Sequence, residues 1–380
     1  MDRKKNVFRV AIVGLGFGAE FIPIYQKHPY SELVAICQRT RSKIEKIGKK
    51  WGIEKLYTDY KELLEDRDID AVHINTPPDQ HADMCIRSLL SGKHVACTIP
   101  MALTVDDCKS ITDAVKISGK KYMMMETTIY SREYLYLKEL YQKGELGKLQ
   151  FFRSSHQQNM RGWPEYWEGF PPLLNATHAI SPVLSLGNNE AEYVSCIGSG
   201  TIEERMHCKY GSPFAIETTH IKYRNSDLAA EVTRSLFDVA RQYRESFDVY
   251  ATKKSFEWSQ IEGRQHVMHH GEYPSCLEVP DYAHLLPEEI REFTTKGVYD
   301  NNNNKHLSFT QGSGHGGSHP HLVHEFLSAL CEGREPFPNA VKASNITCSG
   351  ILSHESALQG GHIIKLPEWT LENNGFQSVN

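Results

Sequence analysis

Long apolar runs are missing from this chain of 380 residues, and none approaches the about 20 residues that a membrane-spanning helix needs. An excess of basic charge is missing too, since 42 Lys and Arg stand against 47 Asp and Glu, giving a net charge of −5. These two absences predict a protein that has neither a membrane nor a nucleic acid as its partner.

Paired cysteine motifs are also missing, because no two of the nine cysteines have a Cys-x-x-Cys spacing. Cys37, Cys97 and Cys196 lie in apolar runs, which predicts buried free thiols in a reducing compartment. Residues 2–5 are charged and precede apolar residues, as in a signal peptide. That apolar run breaks early at Gly14-Leu15-Gly16, with no small-residue cleavage site after it. We therefore expect a first β-strand and a cytoplasmic location.

The length suits two domains. Within residues 8–126, short apolar runs alternate with helical patterns, which favours a doubly wound parallel sheet. The first domain is predicted to span residues 1–127 and to bind a dinucleotide. Its expected strands are residues 8–13, 33–37, 71–75, 94–98 and 122–125.

The pattern changes from residue 128 onward, where strand-like runs follow one another with few helices between them. This predicts a second α/β domain over residues 128–380, built on an open-faced, mostly antiparallel sheet. Residues 262–320 show little periodicity and include four asparagines at 301–304. A loop of that length is usually a lid, a binding loop or an oligomer contact. The last helices are expected near residues 320–332 and 340–359.

A glycine-rich turn follows the first strand, with the sequence Gly14-Leu15-Gly16-Phe17-Gly18-Ala19. Gly14 permits a tight turn, Gly16 lets the backbone approach a pyrophosphate, and Ala19 lets helix and strand pack closely. The free N–H groups of the following helix face the phosphates. A turn of this kind without a ligand is the structural alternative. Its place between a strand and a helix favours a nicotinamide dinucleotide.

The end of the second strand usually carries a carboxylate for the ribose hydroxyls, but here the sequence is Gln38-Arg39-Thr40-Arg41. Gln38 can hydrogen-bond a ribose, whereas Arg39 or Arg41 can meet a 2′-phosphate or lie in solvent. NAD is the expected cofactor, and NADP is not excluded.

Five features resemble the Gfo/Idh/MocA oxidoreductase family, and the resemblance extends over nearly the whole chain. They are the glycine turn, Asn75-Thr76-Pro77-Pro78-Asp79-Gln80-His81, Thr98-Ile99-Pro100, Gly144-Glu145-Leu146-Gly147-Lys148 and the closing pattern from His324 to Ala357. The resemblance implies a dinucleotide domain followed by an open-faced α/β domain whose free sheet face often forms oligomers. It also implies sugars, cyclitols or their derivatives as substrates. The residues that it places against the cofactor are Asn75, Thr76, Pro77, His81 and Thr98.

Two positions depart from that family pattern. Ile99 stands where the family usually has a lysine at the reacting carbon, and Leu174 stands where it has an aspartate. The histidine of the second motif is kept as His178. If the chain is an enzyme, another group must replace the lysine.

Removing a hydroxyl proton during hydride transfer requires a base with a pKa near the working pH. His178 is the first candidate, with a structural histidine at a helix start as the alternative. Glu126 and Tyr130 are second candidates, along with His156. Glu126 ends the last strand of the predicted parallel sheet, where open α/β sheets bind ligands. It can bind substrate hydroxyls, help move a proton, or form a structural pair with Arg132.

Residues 156–170 combine amides with aromatic side chains, a mixture that suits a sugar and equally suits an ordinary core. The substrate-binding residues predicted on this basis, together with the segment before His178, are His156, Gln158, Trp163, Tyr166, Trp167 and Asn175.

Histidines cluster in two places, at residues 314–321 and at His266, His269 and His270. Zinc sites use closely spaced histidines, but no cysteine joins these in a fixed pattern and carboxylates are sparse nearby. We therefore predict no metal. His315 and His319 are expected to reach substrate hydroxyls instead. The first run resembles a subgroup acting on glucosides, which suggests oxidation at C3 of a glucosyl unit.

The leading hypothesis is an NAD(P)-dependent dehydrogenase of a sugar or glycoside, cytoplasmic and homo-oligomeric, with His178 as general acid and base. One alternative enzyme keeps its NAD and cleaves glycosides through transient oxidation. Another alternative is a non-catalytic dinucleotide-binding regulator, which Ile99 favours. The exact substrate, the direction of reaction and the oligomer size stay open.

Overall fold

The computed structural model describes residues 7–207, 209–261, 263–294 and 315–372. In these ranges the chain forms a six-stranded sheet and a nine-stranded sheet. The predictions made for residues 301–304 and for Gly314 of the histidine-rich run lie outside this part of the chain.

The six-stranded sheet has the order β3-β2-β1-β4-β5-β6, and its neighbouring strands are all parallel. The predicted doubly wound parallel sheet is therefore confirmed. The sequence pattern missed β3, whose three residues are only half-buried. The strands are β1 (Phe8–Val13), β2 (Ser31–Cys37), β3 (Lys55–Tyr57), β4 (Ala71–Ile74), β5 (His94–Cys97) and β6 (Tyr122–Met124).

Capping side chains and left-handed glycines mark ends of helices in this half. Thr104 accepts a hydrogen bond from the Asp107 amide at 3.0 Å, and Gly119 ends the same helix in the left-handed region. The first helix is preceded by a 3₁₀ turn, Gly18–Phe21, and Pro23 lies in its first turn. The helices are α1 (Ile22–Lys27), α2 (Arg41–Trp51), α3 (Tyr60–Glu65), α4 (His81–Leu90) and α5 (Val105–Ser118).

The nine-stranded sheet has the order β14-β13-β12-β11-β7-β10-β9-β8-β15 and is antiparallel except between β7 and β10. Alternation along β7 buries Phe152, Ser154 and His156 on one face and leaves Arg153 exposed on the other. The mostly antiparallel, open-faced sheet is thus confirmed. Its strands are β7 (Leu149–Gln157), β8 (Ala191–Ser199), β9 (Ile216–Tyr223), β10 (Ala229–Ser235), β11 (Arg244–Ala251), β12 (Ser255–Glu257), β13 (His266–His270), β14 (Tyr273–Leu277) and β15 (Ile364–Lys365).

The prediction of a structureless segment over residues 262–320 is wrong in its first part. Strands β13 and β14 pair there as an antiparallel hairpin. Because β14 is the edge strand and four of its five residues are exposed, it has no apolar face to show in the sequence.

Helices α6 (Arg132–Gln142), α7 (Thr177–Ser185), α8 (Ser318–Glu332) and α9 (Ala340–Leu358) complete the described fold. Helices α7 and α9 pack on the inner face of the nine-stranded sheet, whereas α8 crosses to the parallel sheet. Leu322, Val323 and Phe326 of α8 share a core with Val10 and Tyr25. The division at residue 127 stays a prediction, and the C-terminal part supplies a wall of the N-terminal core.

Eight cysteines fall in the described ranges, and all are free thiols. Cys37, Cys97 and Cys196 are buried, as predicted. Across the described ranges, none of the helices combines the length and the apolar character that a bilayer crossing demands.

Candidate active site

A cavity of about 780 Å³ opens at the carboxyl ends of strands β1, β2, β4 and β5. Open α/β sheets bind ligands at this edge. One wall comes from the loops of the parallel sheet, and the other comes from β7, β11 and the segment before α7.

The glycine turn fits tightly against the loop after β4. Gly14 has a φ of +85°, and a Cβ there would lie 2.5 Å from the carbonyl oxygen of Asn75. A Cβ on Gly18 would lie 3.0 Å from the Asn75 side chain. The close packing expected of Ala19 therefore falls on Gly18, while Ala19 is half-buried. This leaves the backbone of Leu15 to Phe17 facing the cavity.

Most of the residues predicted to meet a cofactor line this cavity. Two do not: Gly18 packs behind the turn, and His81 lies under the loops. The lining members of the predicted set are Gly14, Gly16, Phe17, Gln38, Arg39, Asn75, Thr76, Pro77 and Thr98.

His81 joins the loops after β4 and β5 instead of facing the cavity. Its Nδ1 lies 2.7 Å from the Pro100 carbonyl oxygen, and its Nε2 lies 2.8 Å from the Thr76 carbonyl oxygen. Two carbonyl acceptors favour two N–H donors, and therefore the protonated ring. Burial opposes this charge, but Cys97 and the two carbonyls raise the pKa of His81 to about 9.

The end of β2 has no carboxylate, but a carboxylate follows the neighbouring strand β3. Asp59 follows β3, lines the cavity with Gln38 and Arg39, and accepts the Lys61 amide at 2.7 Å to cap α3. Sequence reasoning missed Asp59 because β3 itself was not predicted. The capping position before a short helix was the available signal.

His178 faces the cavity from the first turn of α7. Its Nδ1 lies 2.6 Å from Oε1 of Glu126, which is fully buried and also accepts the Thr128 amide at 3.1 Å. Burial by itself lowers the pKa of His178, but the carboxylates of Glu126 and Glu245 outweigh it and raise the pKa to about 8. The Nδ1–H donates to Glu126, so the Nε2 of the neutral ring is free to accept a proton.

The alternative pairing of Glu126 with Arg132 does not occur. Arg132 donates to the carbonyl oxygens of Gly316 and Thr294 instead. Burial raises the pKa of Glu126, but His178 opposes burial and lowers that pKa below its usual value.

Tyr130 does not line the cavity, so the prediction that it is a candidate acid or base is corrected. Its hydroxyl donates to the Phe337 carbonyl oxygen at 2.6 Å. Burial raises its pKa well above the usual value. The side chain therefore fastens the loop after β6 to the segment before α9.

The predicted substrate residues His156, Gln158 and Asn175 line the cavity and share one support, Arg234 of β10. Its guanidinium is fully buried and donates to the Asn175 carbonyl oxygen at 2.9 Å and to Oε1 of Gln158 at 2.8 Å. Burial lowers the pKa of Arg234 to about 9. The sequence offered no signal for this residue beyond an arginine in a strand.

Trp163, Tyr166 and Trp167 fit both predictions made for residues 156–170, a sugar-binding surface and an ordinary core. They line the cavity, and they also pack with Met160 and Phe170 in a small separate core.

His315 lines the cavity as expected, but His319 does not. His319 is fully buried behind it, with Nε2 at 3.1 Å from Nδ1 of His315 and Nδ1 at 3.1 Å from Oε2 of Glu20. A direct contact of His319 with substrate is therefore wrong. Its contact with Nδ1 of His315 makes it a support for that ring.

Tyr243 and Glu245 were missed by sequence reasoning. Glu245 Oε1 lies 3.8 Å from Nε2 of His178 and 3.8 Å from Nε2 of His315, and the Tyr243 hydroxyl donates to the same carboxylate. Both residues come from the start of β11, where the sequence shows no motif. Tyr243 and His315 also line a second cavity of about 910 Å³ on the far side.

The histidines of the second group, at residues 266, 269 and 270, do not come together at one site. His266 packs against Trp258, whereas His269 and His270 are exposed on β13.

A doubly wound sheet with a glycine turn at its first loop defines a dinucleotide-binding protein of the Rossmann type. Residues 8–126 match the family model described as "Oxidoreductase family, NAD-binding Rossmann fold". This match covers the N-terminal part of the chain, and it agrees with the resemblance to the Gfo/Idh/MocA oxidoreductase family noted from the motifs.

Among curated proteins, the chain is 28% identical over 259 residues to the alpha-N-acetylgalactosaminidase of Shewanella oneidensis. It is 29% identical over 259 residues to a glycosyl hydrolase family 109 protein of Shewanella sp. strain W3-18-1. These matches cover 61% of this chain and 56% of the relative, so the chain spans little more than half the length of these proteins.

Solved structures show the same fold over nearly the whole length. Levoglucosan dehydrogenase in complex with NADH and levoglucosan has a TM-score of 0.77 at 20% identity, covering 95% of this chain and 100% of that one. Aldose-aldose oxidoreductase from Caulobacter crescentus has a TM-score of 0.73 at 20% identity, with the same coverage. At this identity the likeness establishes the architecture of both halves.

Proposed function

We propose that this protein is an NAD-dependent oxidoreductase acting on a secondary hydroxyl of a sugar or glycoside, with His178 as general acid and base. One observation carries the proposal: a single cavity is lined by the glycine turn on one side and by His178 on the other. The NADH and levoglucosan complex of a structural neighbour supports it.

The residues of the first wall suit NAD. When bound, NAD supplies the acceptor for a hydride. The backbone from Gly14 to Phe17 would hold the pyrophosphate, because Gly14 keeps the turn pressed against Asn75. Gln38 and Asp59 would hold the adenosine ribose, and the Asp59 carboxylate would repel a 2′-phosphate.

The second wall suits proton transfer. In the oxidation direction Nε2 of His178 would accept the proton of the substrate hydroxyl, and bound NAD would supply the hydride acceptor. The resulting imidazolium is stabilised by Glu126, whose oxygen lies 2.6 Å from Nδ1. Ile99, at the family's lysine position, also lines the cavity and contributes no proton.

Sugar recognition falls to the aromatic and amide side chains of the same wall. Trp163 and Tyr166 offer flat faces for the ring, and Gln158 and Asn175 are held by Arg234 near the hydroxyl groups. Oxidation at C3 of a glucosyl unit stays our preferred regiochemistry. We also expect a second copy of the chain to cover the open sheet face.

The test is a panel of sugars and glycosides with NAD, followed by NADH absorbance. We expect turnover on at least one, and a loss of about 10² to 10⁴ in kcat for His178→Ala. His354→Ala is the matched control, because His354 is another buried histidine, bonded to Glu217 at 2.5 Å outside the cavity. If His178→Ala keeps full turnover on a substrate that the parent protein oxidises, His178 is not the general acid and base.

A second candidate is a glycosidase that retains NAD, oxidises the sugar transiently and reduces it again after the aglycone leaves. The glycosidase names of the curated relatives favour it. Release of nitrophenol from a nitrophenyl glycoside without net NADH would establish this activity. Stoichiometric NADH would establish the dehydrogenase.

A further inference from the structure

Three side chains from distant parts of the chain converge where the two cavities meet. His178 of α7 lines the first cavity, Glu245 of β11 lines the second, and His315 before α8 lines both. Their ligand atoms, two imidazole nitrogens and one carboxylate oxygen, all lie within 4.8 Å of one another. We infer that these residues bind one divalent transition-metal ion of the Zn²⁺, Co²⁺ or Mn²⁺ type. The two-histidine, one-carboxylate set is a common donor set for such ions and leaves positions open.

Two of the three separations between donor atoms fit an ion after small movements. Nε2 of His178 and Nε2 of His315 each lie 3.8 Å from Oε1 of Glu245. Donors about 2.0–2.1 Å from a tetrahedral ion are about 3.4 Å apart, so these two contacts need to shorten only slightly.

Both imidazoles are already oriented by a partner on their other nitrogen. Nδ1 of His178 donates to Glu126 at 2.6 Å, and Nδ1 of His315 lies 3.1 Å from His319, which meets Glu20 in turn. Metal-bound histidines are typically held in this way, with the ring tautomer fixed by a carboxylate or its relay.

His156 is an independent sign of a missing ligand. It is 1% exposed, and across the described ranges neither ring nitrogen has a hydrogen-bond partner. Its Nε2 lies 4.0 Å from Oε1 of Glu245, on the side where the three donors meet. A buried polar group without a partner is costly, and an ion or an ion-bound water would satisfy it.

The charges around the cluster favour a cation. Glu20, Glu126 and Glu245 place three carboxylates near the two histidines, and all three are buried or nearly so. The guanidinium of Arg234 donates to carbonyl and amide oxygens and, in the described ranges, forms no ion pair. A dication would offset this excess of negative charge.

The role of the ion rests on the proposed function. An open position can take the substrate hydroxyl oxygen, and the ion then acidifies that hydroxyl, which Ile99 cannot do. The hydroxyl proton passes to water, and the hydride leaves the same carbon for NAD. Nε2 of His178 is a ligand in the ion-bound protein, so its role as proton acceptor, and the pH profile that follows from it, belong to the ion-free protein.

The test uses the full chain, stripped with a chelator, dialysed and titrated with Co²⁺. We expect one Co²⁺ per chain with visible absorption bands of a four- or five-coordinate ion. Glu245→Gln and His315→Ala should weaken binding at least about tenfold. His270→Ala is the control, because His270 is exposed on β13. The midpoint of urea unfolding, measured in parallel, identifies variants that have lost their fold.

Absent Co²⁺ bands, or an equal loss in His270→Ala, would overturn the site. Variants that keep their fold and bind Co²⁺ as tightly as the parent would also overturn it. If the stripped protein oxidises a sugar at full rate, the proposed function stands and the ion's catalytic role is excluded. If Co²⁺ binding follows the variants but neither form oxidises any sugar, the site stands and the proposed function falls.

Discussion

At the scale of single residues, the decisive contact is the hydrogen bond between His178 and Glu126. The carboxylate fixes the ring so that Nε2 faces the cavity, and it favours the protonated ring. A base held in this way has a pKa close to neutral pH, where an acid and base catalyst works best.

The pH dependence of the reaction follows from the pKa of His178, about 8. Below this value the ring is protonated and cannot accept a proton, so sugar oxidation should rise with pH and level off above 8. The reverse reduction should decline over the same range. Glu126→Gln removes the carboxylate charge and should move the midpoint down by about one pH unit or more. The kcat/KM profile measures it, and an unmoved midpoint would contradict the pairing.

Cofactor choice should depend on Asp59. Asparagine at this position keeps the cap of α3 but removes the negative charge, so Asp59→Asn isolates the electrostatic effect. We expect the ratio of NAD to NADP affinity to fall by about tenfold, a difference of about 1.4 kcal/mol. Asp113→Asn, a change on the exposed face of α5, should leave the ratio alone. Calorimetry with both dinucleotides decides.

At the scale of elements, the turn after β1 has no room for a side chain at its first glycine. Gly14 combines a φ of +85° with a Cβ position 2.5 Å from the Asn75 carbonyl oxygen. Gly52, at the end of α2, has a φ of +67° but no atom within 4 Å of its Cβ position.

Comparing Gly14→Ala with Gly52→Ala therefore separates the clash from the backbone strain. Both should lose about 1 kcal/mol through the left-handed conformation. Gly14→Ala alone should also displace the loop and weaken NAD binding by more than tenfold. Fluorescence titration with NADH measures the affinity. Equal affinities in the two variants would show that the turn does not hold the dinucleotide.

The elements that were predictable from the sequence are those with a clear apolar period. Strands β1 and β5 and helices α8 and α9 have such a pattern, and their predicted positions were close to those observed. The short β3 and the exposed β14 do not, because neither has a buried face to mark it.

The candidate site divides in a similar way. The glycine turn and His178 lie in local motifs, so the sequence pointed to them directly. Tyr243, Glu245 and Arg234 act only through contacts made across the sheet by pairing of distant strands, and no local pattern records that pairing. His319 and Tyr130 were misplaced for the same reason, since the direction of a side chain depends on its tertiary packing.

At the scale of the whole molecule, the two halves share a core through α8. Phe326 is fully buried among residues of the parallel sheet, although it comes from the C-terminal part of the chain. The N-terminal half therefore depends on the C-terminal half for its own stability.

Phe326→Ala should destabilise the protein by about 3–5 kcal/mol, the range for a large aromatic removed from a core. It should also weaken NAD binding, because α8 supports the sheet that carries the glycine turn. Ile117→Ala is the control, as Ile117 is 77% exposed and should cost little. Urea unfolding followed by tryptophan fluorescence measures the stability of both variants, and matching midpoints would contradict the shared core.

Phe17 lies in the dinucleotide turn, and its ring centroid is 5.9 Å from that of His315 and 5.5 Å from that of His319. A ligand that displaces the turn therefore also displaces His315 and His319 through these ring contacts. A ligand that binds His315 displaces the turn through the same contacts. By thermodynamic reciprocity, each ligand then changes the affinity of the other by the same factor.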